Sequence, residues 1–304
     1  MGGGSWSSST YKDISSSYVG KKSDDIFSDS LKKDMNPKDL VIRESRDSDE
    51  HPESLAVMVW LDVTGSMGRI PENIIKNELG TLMDTVISNG IKHPQILFGA
   101  IGDHISDSVP LQVGQYESST EMLNHWLSSI HIEGHGGGQD RESYLQAWLV
   151  AGRHSAIDCY ERRNQKGFLF TIGDEASWDT LDVNSLKSIM GYNQSENLTD
   201  KQLLAEAQKM YNVYHIHINE GSYRDDPNVI GYWKEMLGER LIIMNDYHAI
   251  SATIATIIAV QYGADMKSVI SSFNKDIAGV VSTALATVGV TSLVGTNDEG
   301  IMKL

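Results

Sequence analysis

Cysteine is nearly absent. Cys159 stands alone, so no disulfide can form within the chain. A single thiol suits a reducing compartment, and a cytoplasmic setting is expected. Basic residues are also few: 25 Lys and Arg face 41 Asp and Glu, for a net charge of -16. That balance excludes a phosphate-neutralising face, so no nucleic-acid partner is expected. Divalent cations, basic partners and solubility remain as uses of the acidic surface. Long apolar runs are missing. The stretch from Ile250 to Val260 contains Ser and Thr and is too short to cross a bilayer, so no membrane partner is expected. The opening residues lack the basic-then-apolar order of a signal peptide. Gly2 follows Met1, but Trp6 stands where a myristoylation signal wants Ser or Thr.

What is present suffices for a core. The 304 residues are 40% hydrophobic, enough for one large domain with extensions. Residues 1–54 are rich in Gly, Ser, Asp and Lys, with little apolar periodicity, and read as a flexible N-terminal extension. From Ala56 the pattern changes. Ala56 to Leu61 is a short continuous apolar run, as a buried parallel strand requires. Pro71 is expected to open a helix carrying Ile74, Ile75, Leu79, Leu82, Met83 and Val86, stopped by Asn89-Gly90. Further strands are expected at Gln95 to Ile101, Leu111 to Val113, Gly167 to Ile172, Val213 to Ile218 and Leu241 to Met244. Helical spacing separates them, with Tyr144, Leu145, Trp148 and Leu149 on one apolar face. Strands alternating with helices predict an α/β domain over 55–262, a doubly wound, mostly parallel sheet flanked by helices. Residues 263–304 read as a C-terminal helical tail, with helical spacing from Met266 to Val288.

Polar residues cluster after the strands. Asp62, Thr64 and Ser66 follow the first one. Gly173-Asp174-Glu175 follows a later one, and a glycine loop, Gly134 to Asp140, lies between. In a parallel sheet all carboxyl ends share one edge, and ligands bind where the connections diverge. Alternation in D-x-T-x-S turns Asp62, Thr64 and Ser66 toward one point, and Gly65 frees the turn. These are hard oxygen donors of the kind Mg²⁺ takes together with water. Asp174 supplies a second carboxylate. A shell left incomplete by the chain has room for an outside carboxylate.

The run from Val57 to Met67, ending Asp62-Val63-Thr64-Gly65-Ser66, resembles the metal-ion-dependent adhesion site of von Willebrand factor A (vWA) domains, in the version of intracellular bacterial and phage members. The resemblance covers roughly residues 55 to 262. It implies a bound divalent metal, Mg²⁺ foremost with Mn²⁺ or Ca²⁺ as alternatives, held by Asp62, Thr64, Ser66, a middle-loop ligand and Asp174. The middle loop departs from the family's Thr, and its ligand falls on Gln139 or Asp140. It further implies a non-catalytic interaction module whose partner protein offers an Asp or Glu to the metal. Such modules act as adaptors or assembly factors, some for AAA+ ATPases.

Two other classes fit parts of the pattern. A haloacid-dehalogenase-like phosphohydrolase would use Asp62 as nucleophile and hold Mg²⁺ on Asp174 and Asp179. Against it, Thr64 stands where the hydrolytic branch carries a second Asp, and Lys166 begins its strand at the wrong edge. A structural oligomer would self-associate through 263–304. Asp103 also ends a strand at the same edge, as a turn cap or a support for the site. His215 and His217 share one face of a strand and are expected in a core or surface role rather than as metal ligands, while Trp60, Trp126 and Trp148 are expected to be core.

Overall fold

Each apolar run becomes a strand of one sheet. The computed structural model describes residues 4–38, 40–132, 141–191, 193–286 and 288, with the backbone but not the side chain of Ser66. Six strands are β1 (Leu55–Asp62), β2 (Pro94–Ile101), β3 (Leu111–Val113), β4 (Gly167–Gly173), β5 (Tyr211–Ile218) and β6 (Leu241–Met244). They lie side by side in the order β3-β2-β1-β4-β5-β6. All neighbours run parallel except β3, which is antiparallel to β2. Every residue of β1 is buried, which is why its sequence is apolar without alternation.

The winding reverses between β1 and β4. From β1 the chain steps outward to β2 and β3, and from β4 outward the other way to β5 and β6. This is the doubly wound order, and its crevice opens at the carboxyl ends of β1 and β4. Leu61 pairs with Ile172, so Asp62 and the Gly173-Asp174 turn leave the sheet next to one another.

Helices cover both faces: α1 (Ser8–Ser16), α2 (Leu79–Ser88), α3 (Thr120–Ser128), α4 (Leu145–Arg153), α5 (Val183–Met190), α6 (Asp200–Ala207), α7 (Pro227–Leu237), α8 (Ile250–Gln261), α9 (Met266–Ser271) and α10 (Lys275–Leu285). Their starts follow capping chemistry. Ser119 accepts from the Met122 amide, and Asp226 accepts from Asn228 and Val229 ahead of a first-turn proline. The helix expected from Pro71 begins instead at Arg69 and passes through a π-helical turn, Ile74–Glu78, before α2. The buried Glu78 carboxylate at the end of that turn accepts from Asn73 and from the Ser251 amide, which lies in the first turn of α8. A carboxylate at a helix N-terminus satisfies an orphan donor there.

The flexible extension expected over 1–54 is, in its described part, a strap laid on the helices. Ser7 caps α1, Tyr11 is buried against Gly80, and both Trp6 Nε1 and Ser8 Oγ donate to Asp84 at 2.6 Å. Tyr18, Ile26, Phe27 and Met35 are buried further along, and Arg43–Ser45 pairs in parallel with Ser155–Ile157. Anchors this widely spaced leave no helical or strand period, so composition hid them. At the other end α9 and α10 pack on α8 and bury Val269, Val281, Ala284 and Leu285. Among the described residues no helix is long and apolar enough to cross a membrane.

Candidate functional site

β1 delivers Asp62 to the crevice with 1% of its surface exposed. Its Oδ1 accepts from the Thr64 amide at 2.9 Å and from the Thr64 hydroxyl at 2.6 Å. Its Oδ2 accepts from the Tyr144 hydroxyl at 2.8 Å. The turn that folds Thr64 back onto Asp62 needs Gly65 in the left-handed region, φ +42°. Ser66 sits in the next helical turn, Gly65–Gly68. Gln139 and Asp140 lie outside the described residues.

Asp174 leaves β4 beside this turn and is 7% exposed. Two glycines make room for the carboxylates. A Cβ on Gly173 would overlap the Tyr144 hydroxyl and stand 2.7 Å from Asp62 Oδ2. A Cβ on Gly221, in the turn after β5, would overlap Asp174 Oδ2. Both acids are therefore seated in slots only glycine leaves open.

The electrostatics are lopsided. Burial pushes Asp62 up to about 7, the charge of Asp174 adds to the rise, and the hydrogen bonds from Thr64 and Tyr144 oppose it. Burial lifts Asp174 to about 6, against a pull from Arg69. Glu175 rises to about 8 through burial and then through Asp62 and Asp174. Glu142 rises to about 11, through burial first and Asp62 second. The Oε2 atoms of Glu142 and Glu175 are buried with no hydrogen-bond partner among the described residues. None of these four carboxyls forms an ion pair with a described Lys or Arg. Arg69, the cation acting on Asp174, pairs instead with Glu220 at 3.4 Å and lies over the Tyr247 ring.

An aromatic floor fixes the geometry. Tyr144 meets His215 edge-on at 5.1 Å, and His215 stacks on Trp233 at 3.5 Å. Trp233 Nε1 donates to the Glu175 carbonyl at 2.9 Å. His215 Nδ1 pairs with the Thr171 hydroxyl at 2.9 Å, and burial holds the ring neutral. Of the core and surface roles open to them, His215 and His217 take the core one, and Trp60, Trp126 and Trp148 are core residues as expected. Asp103 caps its own turn, accepting from the Ile105 amide and the Ser106 hydroxyl, and also accepts from Trp178 Nε1. Asp179 is exposed.

The donor set suits a hard cation. Asp62, Thr64 and Asp174 offer only oxygen. A carboxylate accepts about four hydrogen bonds. Asp62 already takes three, which leaves one lone pair on Oδ2 for a cation or its water. Among the described residues no three His, Cys, Asp or Glu side chains converge as metal ligands.

Sequence reading missed Tyr144, Glu142 and Gly221 as parts of this site, and the spacing role of Gly173 within its loop. Tyr144, the residue that precedes α4, reads as one more apolar position of that helix, and only the fold shows its hydroxyl on Asp62. The two glycines carried a usable signal, since Gly173 ends β4 and Gly221 lies in the turn after β5.

No family model matches the sequence, and no curated protein does. Solved structures with a similar course include the pilus adhesin SpaC of Lactobacillus rhamnosus GG in its open conformation. It is 8% identical with a TM-score of 0.47, over 72% of this chain and 31% of the adhesin. Proximal thread matrix protein 1 of the mussel byssus is 9% identical with a TM-score of 0.45, over 74% of this chain and 49% of its own. The SpRpn10 VWA domain is 9% identical with a TM-score of 0.38, over 66% of this chain and 94% of that domain. The chain spans less than half the length of the first two. The fold assignment stands on strand order and register, and no activity passes from these proteins to this one.

Proposed function

We propose that the chain is a divalent-metal-dependent protein-recognition module of the vWA type. One observation carries the reading. Two buried carboxyls, Asp62 and Asp174, are held in glycine slots at the crevice of a doubly wound sheet, with no paired Lys or Arg among the described residues. Buried charges of one sign need a counter-ion. Mg²⁺ is the expected one, with Mn²⁺ and Ca²⁺ able to use the same oxygens. Asp62, Thr64, Ser66 and Asp174 would hold it, with Gln139 or Asp140 from the middle loop. When bound, the cation supplies a directional, charge-assisted contact to an Asp or Glu of the partner protein. Thr64 and Tyr144 fix the Asp62 carboxylate, and the Tyr144-His215-Trp233 floor keeps it from turning inward. An AAA+ ATPase in the cytoplasm is the partner class the family resemblance favours.

The phosphohydrolase reading fares worse. Its nucleophile, Asp62, is tied by three hydrogen bonds, and its second metal carboxylate, Asp179, is exposed rather than seated beside the first. Affinity purification in Mg²⁺ and in EDTA, with Asp62→Ala as control, tests the proposal. A partner retained in Mg²⁺ and lost under both other conditions is the expected result. A partner list indifferent to chelation and to Asp62 overturns it. Turnover of p-nitrophenyl phosphate, lost in Asp62→Asn, would restore the enzyme.

A further inference from the structure

Two histidines meet at the opposite edge of the sheet, where the strands begin. His51 lies just before β1 and His93 just before β2, and the Leu55 amide donates to the His93 carbonyl at 2.9 Å. Each precedes a proline, Pro52 and Pro94, which confines its backbone to extended conformations. His51 is fixed again by a tight turn, exchanging backbone hydrogen bonds with Ser48 at 3.0 and 3.1 Å. Both rings thus stand on preset backbone.

Their Nδ1 atoms lie 3.3 Å apart, with the ring planes at 69°. At this separation His93 Nδ1 can donate a hydrogen bond to His51 Nδ1 when no metal is bound. The same separation equals the edge of a tetrahedral site, where two nitrogens about 2.0–2.1 Å from one metal stand about 3.3 Å apart. His51 Nε2 is 2.9 Å from the Gly4 carbonyl. A carbonyl only accepts, so Nε2 carries the hydrogen and Nδ1 presents its lone pair toward His93. Backbone anchoring of the far ring nitrogen is the support metal-ligating histidines use. Burial first, and then the neighbouring His51, lower the basicity of His93, which favours the neutral ring a metal needs.

We propose that His51 and His93 form a transition-metal site through their Nδ1 atoms, taking a borderline ion such as Zn²⁺, Ni²⁺ or Cu²⁺ rather than Mg²⁺. Imidazole selects those ions, as carboxylate and hydroxyl select Mg²⁺. No third His, Cys, Asp or Glu among the described residues joins them, so water completes the shell and the ion exchanges readily. Occupancy would lock the His51 ring that holds Gly4, and so pin the start of the N-terminal strap.

Zinc titrated calorimetrically into the full chain, in excess Mg²⁺ to fill the oxygen site, tests this. Saturable one-to-one binding is expected, unchanged in Asp62→Asn and weakened about tenfold or more in His93→Gln and in His51→Gln. Circular dichroism checks that the variants fold. The Cu²⁺ form of the wild type should show an electron-resonance spectrum with hyperfine coupling to two nitrogens, which would support the site even if a variant failed to fold. No saturable binding, or binding that survives both histidine substitutions, would leave a hydrogen-bonded imidazole pair only and overturn the proposal. Zinc binding lost in Asp62→Asn would place the ion at the oxygen site and overturn the proposal. The Mg²⁺-dependent recognition proposed above stands or falls separately, by its own purification experiment.

Discussion

Replacing Asp62 with Asn is expected to stabilise the metal-free chain at alkaline pH while abolishing its response to Mg²⁺. In the folded protein Asp62 is lifted from 3.8 to about 7, chiefly by burial, with Asp174 adding. In the unfolded chain it returns to its ordinary value. Well below pH about 4 both states hold the proton, and the carboxyl costs nothing. As pH rises the unfolded state ionises first, so stability falls between about 4 and about 7. Above that the full penalty of about 4 kcal/mol is in force. For a chain of this size 1 kcal/mol moves the melting midpoint by about 2 °C, so the effect approaches about 8 °C. Asn keeps the shape: its carbonyl accepts from Thr64 and its amide donates to the Tyr144 oxygen. Glu78, at about 7, and Glu175, at about 8, lower stability over the same range. The difference between wild type and variant removes the Glu78 part. The assay is scanning calorimetry from about pH 5 to about pH 8.5, with Mg²⁺ or with EDTA. In EDTA the wild type should lose stability with pH faster than Asp62→Asn. Mg²⁺ should restore the wild type most at the alkaline end and leave the variant unmoved. A variant less stable than wild type at about pH 8 in EDTA, or one that gains equally from Mg²⁺, would refute the reasoning.

Gly173→Ala should lower stability by about 2–4 kcal/mol, since its Cβ drives Tyr144 off Asp62, and should erase the Mg²⁺ response in the same melting assay. Gly221→Ala pushes only the movable end of Asp174, so urea unfolding should show a smaller loss while calorimetric titration shows weaker Mg²⁺ binding. Tyr11→Ala should cost about 3 kcal/mol by emptying the notch at Gly80, measured by urea unfolding, and should expose the strap to protease. Deleting residues beyond 262 uncovers the surface under Val281 and Leu285, so size-exclusion chromatography should show the shortened chain associating more, not less. A full-length oligomer that persists in EDTA and is lost on that truncation would favour the structural reading instead.

The sheet was legible because its strands are buried on both faces. β1, β2 and β4 announce themselves as continuous apolar runs, and even the three-residue β3 stood out between turns. Asp62, Thr64 and Asp174 were legible because strand ends in such a sheet share one edge. The π-helical turn was not, and its last residue, Glu78, is held by Ser251, a residue 173 positions away. Nor was the strap, whose anchors Trp6, Tyr11, Tyr18 and Met35 follow no period. Tyr144 was hidden for another reason. A tyrosine on an apolar helix face carries no mark of where its hydroxyl ends, and only packing against His215 and Trp233 aims it at Asp62.

The two proposed sites lie at opposite ends of β1, His51 just before Leu55 and Asp62 at its last residue. Seven steps of extended chain separate those ends by about 23 Å. The strand between them is wholly buried and paired on both sides along most of its length, so it has no second arrangement through which one end could signal to the other. Ligand effects at sites this far apart add when no shared element moves. The rise in melting temperature with saturating Mg²⁺ and the rise with saturating Zn²⁺ should therefore sum when both ions are present. Each should vanish singly, the first in Asp62→Asn and the second in His93→Gln. A joint rise well short of the sum would mean that the ions compete for one place. A rise well above it would mean that the strap, pinned at Gly4 and lying across α2 and α3, reaches the carboxyl edge after all.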